Sequence, residues 1–215
     1  MTQQAVVKVL LDRYGRTFAE EAGIRLGDQP SPLYQLLVLA TLVSARISAD
    51  IAVAAARELF AAGYRSGKAM SAASWQDRIG ALDRAGYRRY DARTATMLGE
   101  GSELLIGRWH GDLRRLHAEA GGDAGRIKSL LTAFPGIGPV GADIFLREVQ
   151  ATWPDIGPYL DSKVLDGARK LGLPDDPDAL AKIAGPASQL PHLAAALVRV
   201  SRSRQAPQEL VSAAS

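Results

Sequence analysis

Two features of this chain carry residues whose type and spacing suit chemistry on an anionic, sugar-bearing substrate. Phe134-Pro135-Gly136-Ile137-Gly138-Pro139-Val140-Gly141-Ala142 reads as a glycine-rich hairpin, and a lone carboxylate, Asp161, follows twenty-three residues after Gly138. Upstream, Ile127, Leu130, Leu131 and Phe134 fall at i, i+3, i+4 and i+7, one face of a helix. Downstream, Val140, Ile144, Phe145 and Val149 form a second apolar face. Pro135 and Gly136 stop the first helix, since proline breaks the bonding ladder and glycine accepts positive φ. Pro139 suits the first turn of the second helix, where a missing N–H costs nothing. Gly136 and Gly138 let the backbone bend sharply and approach another molecule closely. Free N–H groups at the start of the second helix then form an anion site, drawn from Gly136, Ile137, Gly138, Val140 and Gly141. A phosphate suits it. The carboxylate, for its part, can stabilise a sugar cation. Each feature also has a plainer reading. The hairpin is a tight turn between packed helices, and Asp161 is the N-cap of a helix with Val164, Leu165, Ala168 and Leu171 on its apolar face. A cap also fixes a carboxylate in place, so both roles of Asp161 are compatible.

The elements that must position these groups all read as helices. Val6 to Leu11 begin an N-terminal helix, and Asp28 to Ser31 make a polar break before a helix start at Ser31-Pro32. Leu33, Leu36, Leu37, Ala40 and Val43 continue on one face of a buried helix. Ser48 caps a helix ending near Gly63, and Ser74 caps another ending before Gly86. A longer helix covers roughly 91–108, Gly121-Gly122-Asp123 precede the hairpin helix, Leu173 to Pro177 form a further break, and a last helix runs near 189–202. No strand alternation of useful length and no repeat is present. The tail, 205–215, reads as partly loose.

Four landmarks in order resemble the endonuclease III-like, helix-hairpin-helix DNA glycosylase superfamily. Residues 134–142 resemble its Leu-Pro-Gly-Val-Gly hairpin, with Ala after three variable residues. Trp153-Pro154-Asp155-Ile156, then Tyr159-Leu160-Asp161-Ser162-Lys163-Val164, resemble its Trp-Pro…Val-Asp-Thr-His-Val segment. Leu42-Val43-Ser44-Ala45-Arg46-Ile47-Ser48-Ala49-Asp50 resemble its Leu-Leu-Ser-Ala-Gln-Ala-Thr-Asp segment. Residues 86–93, Gly-Tyr-Arg-Arg-Tyr-Asp-Ala-Arg, resemble its Gly-Leu-Tyr-Asn-Ser-Lys-Ala loop. The resemblance implies an all-α fold of two lobes with a cleft between them. One lobe would cover 30–125 and the other 1–29 with 126–215. It implies double-stranded DNA with a damaged or mismatched base as partner, and Asp161 as the catalytic aspartate. Breaking an N-glycosidic bond leaves positive charge on the sugar; a fixed anion there stabilises that charge and can orient the attacking water. Arg46 stands where relatives have Gln at the DNA gap, and Tyr87 stands near a wedge position where an aromatic ring can stack on the orphan base; packing of Tyr87 against a neighbouring helix is the equal alternative. Arg88 and Arg89 lie in the same DNA-contacting loop.

Two departures shape the expected activity. Bifunctional relatives carry a lysine two residues after the second hairpin glycine; here Val140 stands there and cannot form a Schiff base. Simple base hydrolysis is therefore expected. Lys163 is an alternative nucleophile for strand cleavage, or a solvated lysine in a helix's first turn. The chain also contains no cysteine, which excludes a thiolate-held iron–sulfur cluster, disulfides and cysteine zinc sites. His110, His117 and His192 make no ligand set, so neither cofactor nor metal is expected.

Composition agrees with DNA binding. Net charge is +3 and the pI about 9.3. Arg84, Arg88, Arg89 and Arg93 cluster, as do Arg199, Arg202 and Arg204, and such groups attract phosphate without regard to sequence. No apolar run suits a bilayer and the N-terminus shows no secretory pattern. A cytoplasmic monomer follows as the expectation, nucleoid-associated if bacterial. A non-catalytic DNA-binding protein on the same scaffold is the competing reading. The base removed stays open.

Overall fold

The structure, a computed structural model, describes residues 2–206, and every regular element among them is helical. In chain order the helices are α1 (Gln3–Tyr14), α2 (Phe18–Glu21), α3 (Pro30–Val43), α4 (Ala49–Ala61), α5 (Gly67–Ala72), α6 (Trp75–Arg84) and α7 (Asp91–Trp109). They continue with α8 (Leu113–Ala120), α9 (Ala124–Leu131), α10 (Pro139–Val149), α11 (Ser162–Lys170), α12 (Pro177–Ala184) and α13 (Leu190–Arg202). Side-chain caps set many of the starts. Ser48 accepts from the Ile51 amide, Asp123 from Arg126 and Asp176 from Ala179. Ser74 and Asp77 form a reciprocal capping box on α6. No described helix is long and apolar enough to cross a membrane.

By internal contacts the chain forms two units. One spans Phe18–Leu146; the other joins the residues up to Thr17 with those from Arg147 onward. In the larger unit α3 is apolar nearly all round and buried, with Leu33, Leu36, Leu39, Ala40 and Leu42 at its heart. Tyr34 shares a 2.8 Å hydrogen bond with Ser102 of α7, and burial pushes its phenol well above the ordinary value. The rings of Trp109 and Phe134 stack at 5.4 Å. In the smaller unit, α1, α11, α12 and α13 enclose Val6, Leu10, Val164, Ala168, Leu180, Leu193 and Leu197. Gly167 lets α11 and α13 cross closely: an ideal Cβ there would lie 2.0 Å from the Leu197 carbonyl oxygen.

Several boundaries differ from the sequence expectation. α3 starts at Pro30, which takes its first-turn position. The expected break at 173–177 separates α11 from α12, and its last residue, Pro177, already starts α12, because proline is tolerated in a helix's first turn. The short helices α2 and α5 carry too few residues to show a period, whereas α8, not expected from the sequence, buries Leu113, Leu116 and Ala120 at i, i+3 and i+7. The hairpin and residues 18–29 group with the larger unit, not with the C-terminal segment, since Phe134 stacks on Trp109 and Gly136 sits against Thr41 and Met97. Residues 207–215 of the expected loose tail lie outside the described residues.

Candidate nucleic-acid interface and carboxylate site

The hairpin is anchored by its apolar side chains and tied across by charge. Ile127, Leu131, Phe134 and Ile137 are buried. Lys128 of α9 meets Asp143 of α10 at 2.5 Å. α9 ends at Leu131, so Phe134 belongs to the turn that follows it.

The glycines of the hairpin answer to different demands. Gly136 has φ +85°, and an ideal Cβ would come within 2.9 Å of the Met97 sulfur and 3.1 Å of Thr41 Cγ2. The fold itself requires glycine there. At Gly141 an ideal Cβ would sit 3.3 Å from Ser44 Cβ, so close packing on the end of α3 explains that residue. Gly138 is different. Its φ is not left-handed, and an added Cβ would meet nothing within 4 Å. Nothing inside the protein demands glycine at 138, so the bare backbone faces outward. Gly138, Pro139 and Val140 are exposed. Ile137 is an anchor, and only its backbone can meet a ligand.

The loop before α7 corrects one expectation. Tyr87 is 0% exposed. It packs inside the larger unit, its hydroxyl 3.5 Å from the Thr94 hydroxyl, and burial raises its phenol above the ordinary value. A ring so enclosed cannot stack on a base. The half-buried aromatic of this loop is Tyr90, with the Arg89 guanidinium 5.3 Å from its ring centre. Arg46, Arg88, Arg89 and Arg93 are all exposed. Other basic groups are committed: Arg84 pairs with Glu58 at 2.7 Å, and Arg199 donates to the Tyr14 carbonyl. A cavity of about 280 Å³ opens among Arg46, Tyr90, Arg93, Met97, Thr41 and Gly136.

Asp161 caps α11. Its Oδ1 accepts from the amides of Lys163 at 3.0 Å and Val164 at 3.1 Å, while its Oδ2 accepts from Arg147 at 2.7 Å. A carboxylate has about four lone-pair sites, so one on Oδ2 is left. The loop that delivers Asp161 is fixed by Gln150, which donates to the Tyr159 carbonyl at 3.2 Å and accepts from its amide at 2.9 Å. Lys163 is solvated, 63% exposed and 3.6 Å from Asp166. Sequence reasoning missed Arg147 and Gln150. The sequence signal is weak: the two stand at i and i+3 around the end of α10, which also carries Asp143 and Glu148, and only the structure shows that both are buried. Among the described residues no His, Cys, Asp and Glu group is placed to hold a metal ion. His192 instead bonds the Gly15 carbonyl at 2.9 Å.

No family model and no curated protein matches the chain. Among solved structures, a non-covalent endonuclease III–DNA complex aligns with a TM-score of 0.52 at 19% identity, covering 99% of this chain and 95% of that one. A trapped endonuclease III–DNA covalent intermediate, an estranged-adenine complex, gives 0.49 at 18% identity, covering 92% and 85%. The former alignment shows that this chain has the all-α fold of endonuclease III. Without cysteine, it carries no thiolate ligands for an iron–sulfur cluster.

Proposed function

We propose that this chain, folded as endonuclease III is, binds double-stranded DNA bearing a damaged or mismatched base and hydrolyses that base's N-glycosidic bond. The observation that carries the reading is Asp161: an ionic carboxylate held by two amides and a guanidinium, with one lone pair uncommitted. Such a group can stabilise the developing sugar cation, or orient water toward it, without reorganising. The outward backbone of Gly138 and the following helix start would station a phosphate. The base must leave the stack to be cut. Val140, exposed and neutral, offers no amine in the hairpin, so hydrolysis proceeds without a Schiff base there. Lys163 is the one amine near Asp161 in sequence; borohydride trapping of a protein–DNA adduct tests it, and no adduct is expected.

A panel of duplexes, each with one damaged or mismatched base, tests the activity by measuring free base. Release from at least one duplex, abolished in Asp161→Asn, supports the reading. Equal release by the variant removes Asp161 from the mechanism.

The same ion pair favours a second reading. Arg147 offsets the charge of Asp161, which weakens its pull on a sugar cation. On that reading the chain binds abasic or branched DNA and releases no base. The panel separates the two.

A further inference from the structure

We propose that Arg147 is a DNA contact as well as the partner of Asp161: the free edge of its guanidinium takes a backbone phosphate next to the sugar that Asp161 faces. This rests on the DNA-binding reading above.

The guanidinium is under-used where it stands. Such a group carries five N–H donors on a rigid plane. Nη1 gives one of them to Oδ2 of Asp161 at 2.7 Å, and no other acceptor among the described residues bonds the side chain. The whole edge formed by Nε and Nη2 is left over. A buried donor without a partner is costly, and Arg147 is more than nine-tenths buried. Yet its nitrogens are not among the polar atoms that are both sealed in and unbonded, as Arg78 Nε is. The free edge therefore opens outward from an otherwise enclosed side chain.

The residue type fits that use. Holding Asp161 by a single bond needs only a point charge, which a lysine would supply. A fork matters when two adjacent oxygens are to be gripped at once, and phosphate offers them. The grip is also preset. Gln150 donates to the Arg147 carbonyl at 2.9 Å and clamps Tyr159 in the loop that delivers Asp161. Guanidinium and carboxylate are thus tied to the same side chain.

Charge selects phosphate over a neutral acceptor. The pair of Arg147 and Asp161 has no net charge, which suits a sugar cation poorly. A phosphate on the free edge leaves the three groups with a net negative charge beside the sugar; a base carbonyl would not. Each sugar within a DNA strand has a phosphate on either side, so this anion arrives with the substrate. Asp166, the next acid along α11, is engaged by Lys163 and Arg169.

The test uses labelled duplexes at one fixed salt concentration, each with one tetrahydrofuran abasic analogue. In each, a neutral methylphosphonate replaces one phosphate: the one 5′ of the analogue, the one 3′ of it, or one near the duplex end. Wild-type protein is expected to lose about tenfold in affinity from one of the two flanking replacements, the least expected of a hydrogen bond between charged groups, and little from the distant one. Asp161→Asn retains Arg147 and should show the same penalty. Arg147→Gln/Asp161→Asn removes both charges, so neither is left buried alone, and there the penalty should shrink to about twofold or less, the scale of a screened surface pair. If Arg147 only tied α10 to α11, the penalties would be equal in all three proteins. Such equality overturns the proposal. So does a wild type indifferent to both flanking replacements, a result that needs no variant to fold. Failure to bind any duplex, the unmodified one included, sinks the DNA-binding reading and this proposal with it, an outcome distinct from binding without a flanking penalty.

Discussion

Arg147 donates to Oδ2 of Asp161 at 2.7 Å, and the two side chains are only 9% and 11% exposed. The pair joins the end of α10 to the first turn of α11, with Gln150 tying the intervening loop to the same helix. Removing one member of such a pair leaves a buried charge without its counter-ion. Arg147→Ala is therefore expected to lower stability by about 3–5 kcal/mol, read from the midpoint of urea denaturation. A loss under about 1 kcal/mol, no more than an exposed pair is worth, would show that solvent reaches the site.

Asp161→Asn separates charge from capping. Asparagine caps a helix about as well as aspartate, so α11 should persist by circular dichroism. DNA affinity should hold, while base release should fall by about 10²–10³-fold or more if the carboxylate stabilises the sugar cation.

The hairpin glycines should respond in opposite ways. Gly138→Ala adds a methyl to open space, so stability should stay within about 0.5 kcal/mol, yet DNA affinity should drop because the backbone can no longer be approached. Gly136→Ala meets both a positive φ and the Met97 sulfur, so it should cost about 1–3 kcal/mol. Paired thermal melts and DNA titrations read both. A Gly138→Ala protein that binds DNA normally would remove the hairpin from the interface.

Gly167→Ala sets a methyl against the backbone of α13, an atom that no rotamer change can move aside. The expected cost is about 1–3 kcal/mol or more, visible as a lower denaturation midpoint.

Glu119 offers a pH-dependent case. Hydrogen bonds from Trp109, then Arg108, hold its carboxyl below the ordinary value. A depressed folded-state value stabilises the protein above the unfolded value, about 4.3, and that contribution disappears as pH falls through the folded one. The Tm gap between wild type and Glu119→Gln should be present at pH 7 and close below about pH 4.3. A gap that does not narrow in acid would mean that the variant acts through the geometry around Trp109, not through charge.

Much of the fold was legible because its signals are local. Helical periods, the caps at Ser48 and Ser74 and the proline–glycine punctuation of the hairpin act within a few residues of themselves. The helix start at Asp161 is of that kind too, and the all-α architecture follows from such signals. Tyr87 was not legible: a tyrosine in a basic loop reads equally as a wedge or as core, and only packing around α7 buries it. Arg147 was equally ambiguous, since a cation at a helix's C-terminal end also suits the helix dipole. Its partner fourteen residues later is chosen by how the loop folds back. The cavity has no local signature, because residues from the end of α3, the start of α7 and the hairpin line it. Short-range backbone preferences decide where helices begin and end; which side chains then face one another depends on contacts between residues distant in sequence, and those exist only once the helices have packed.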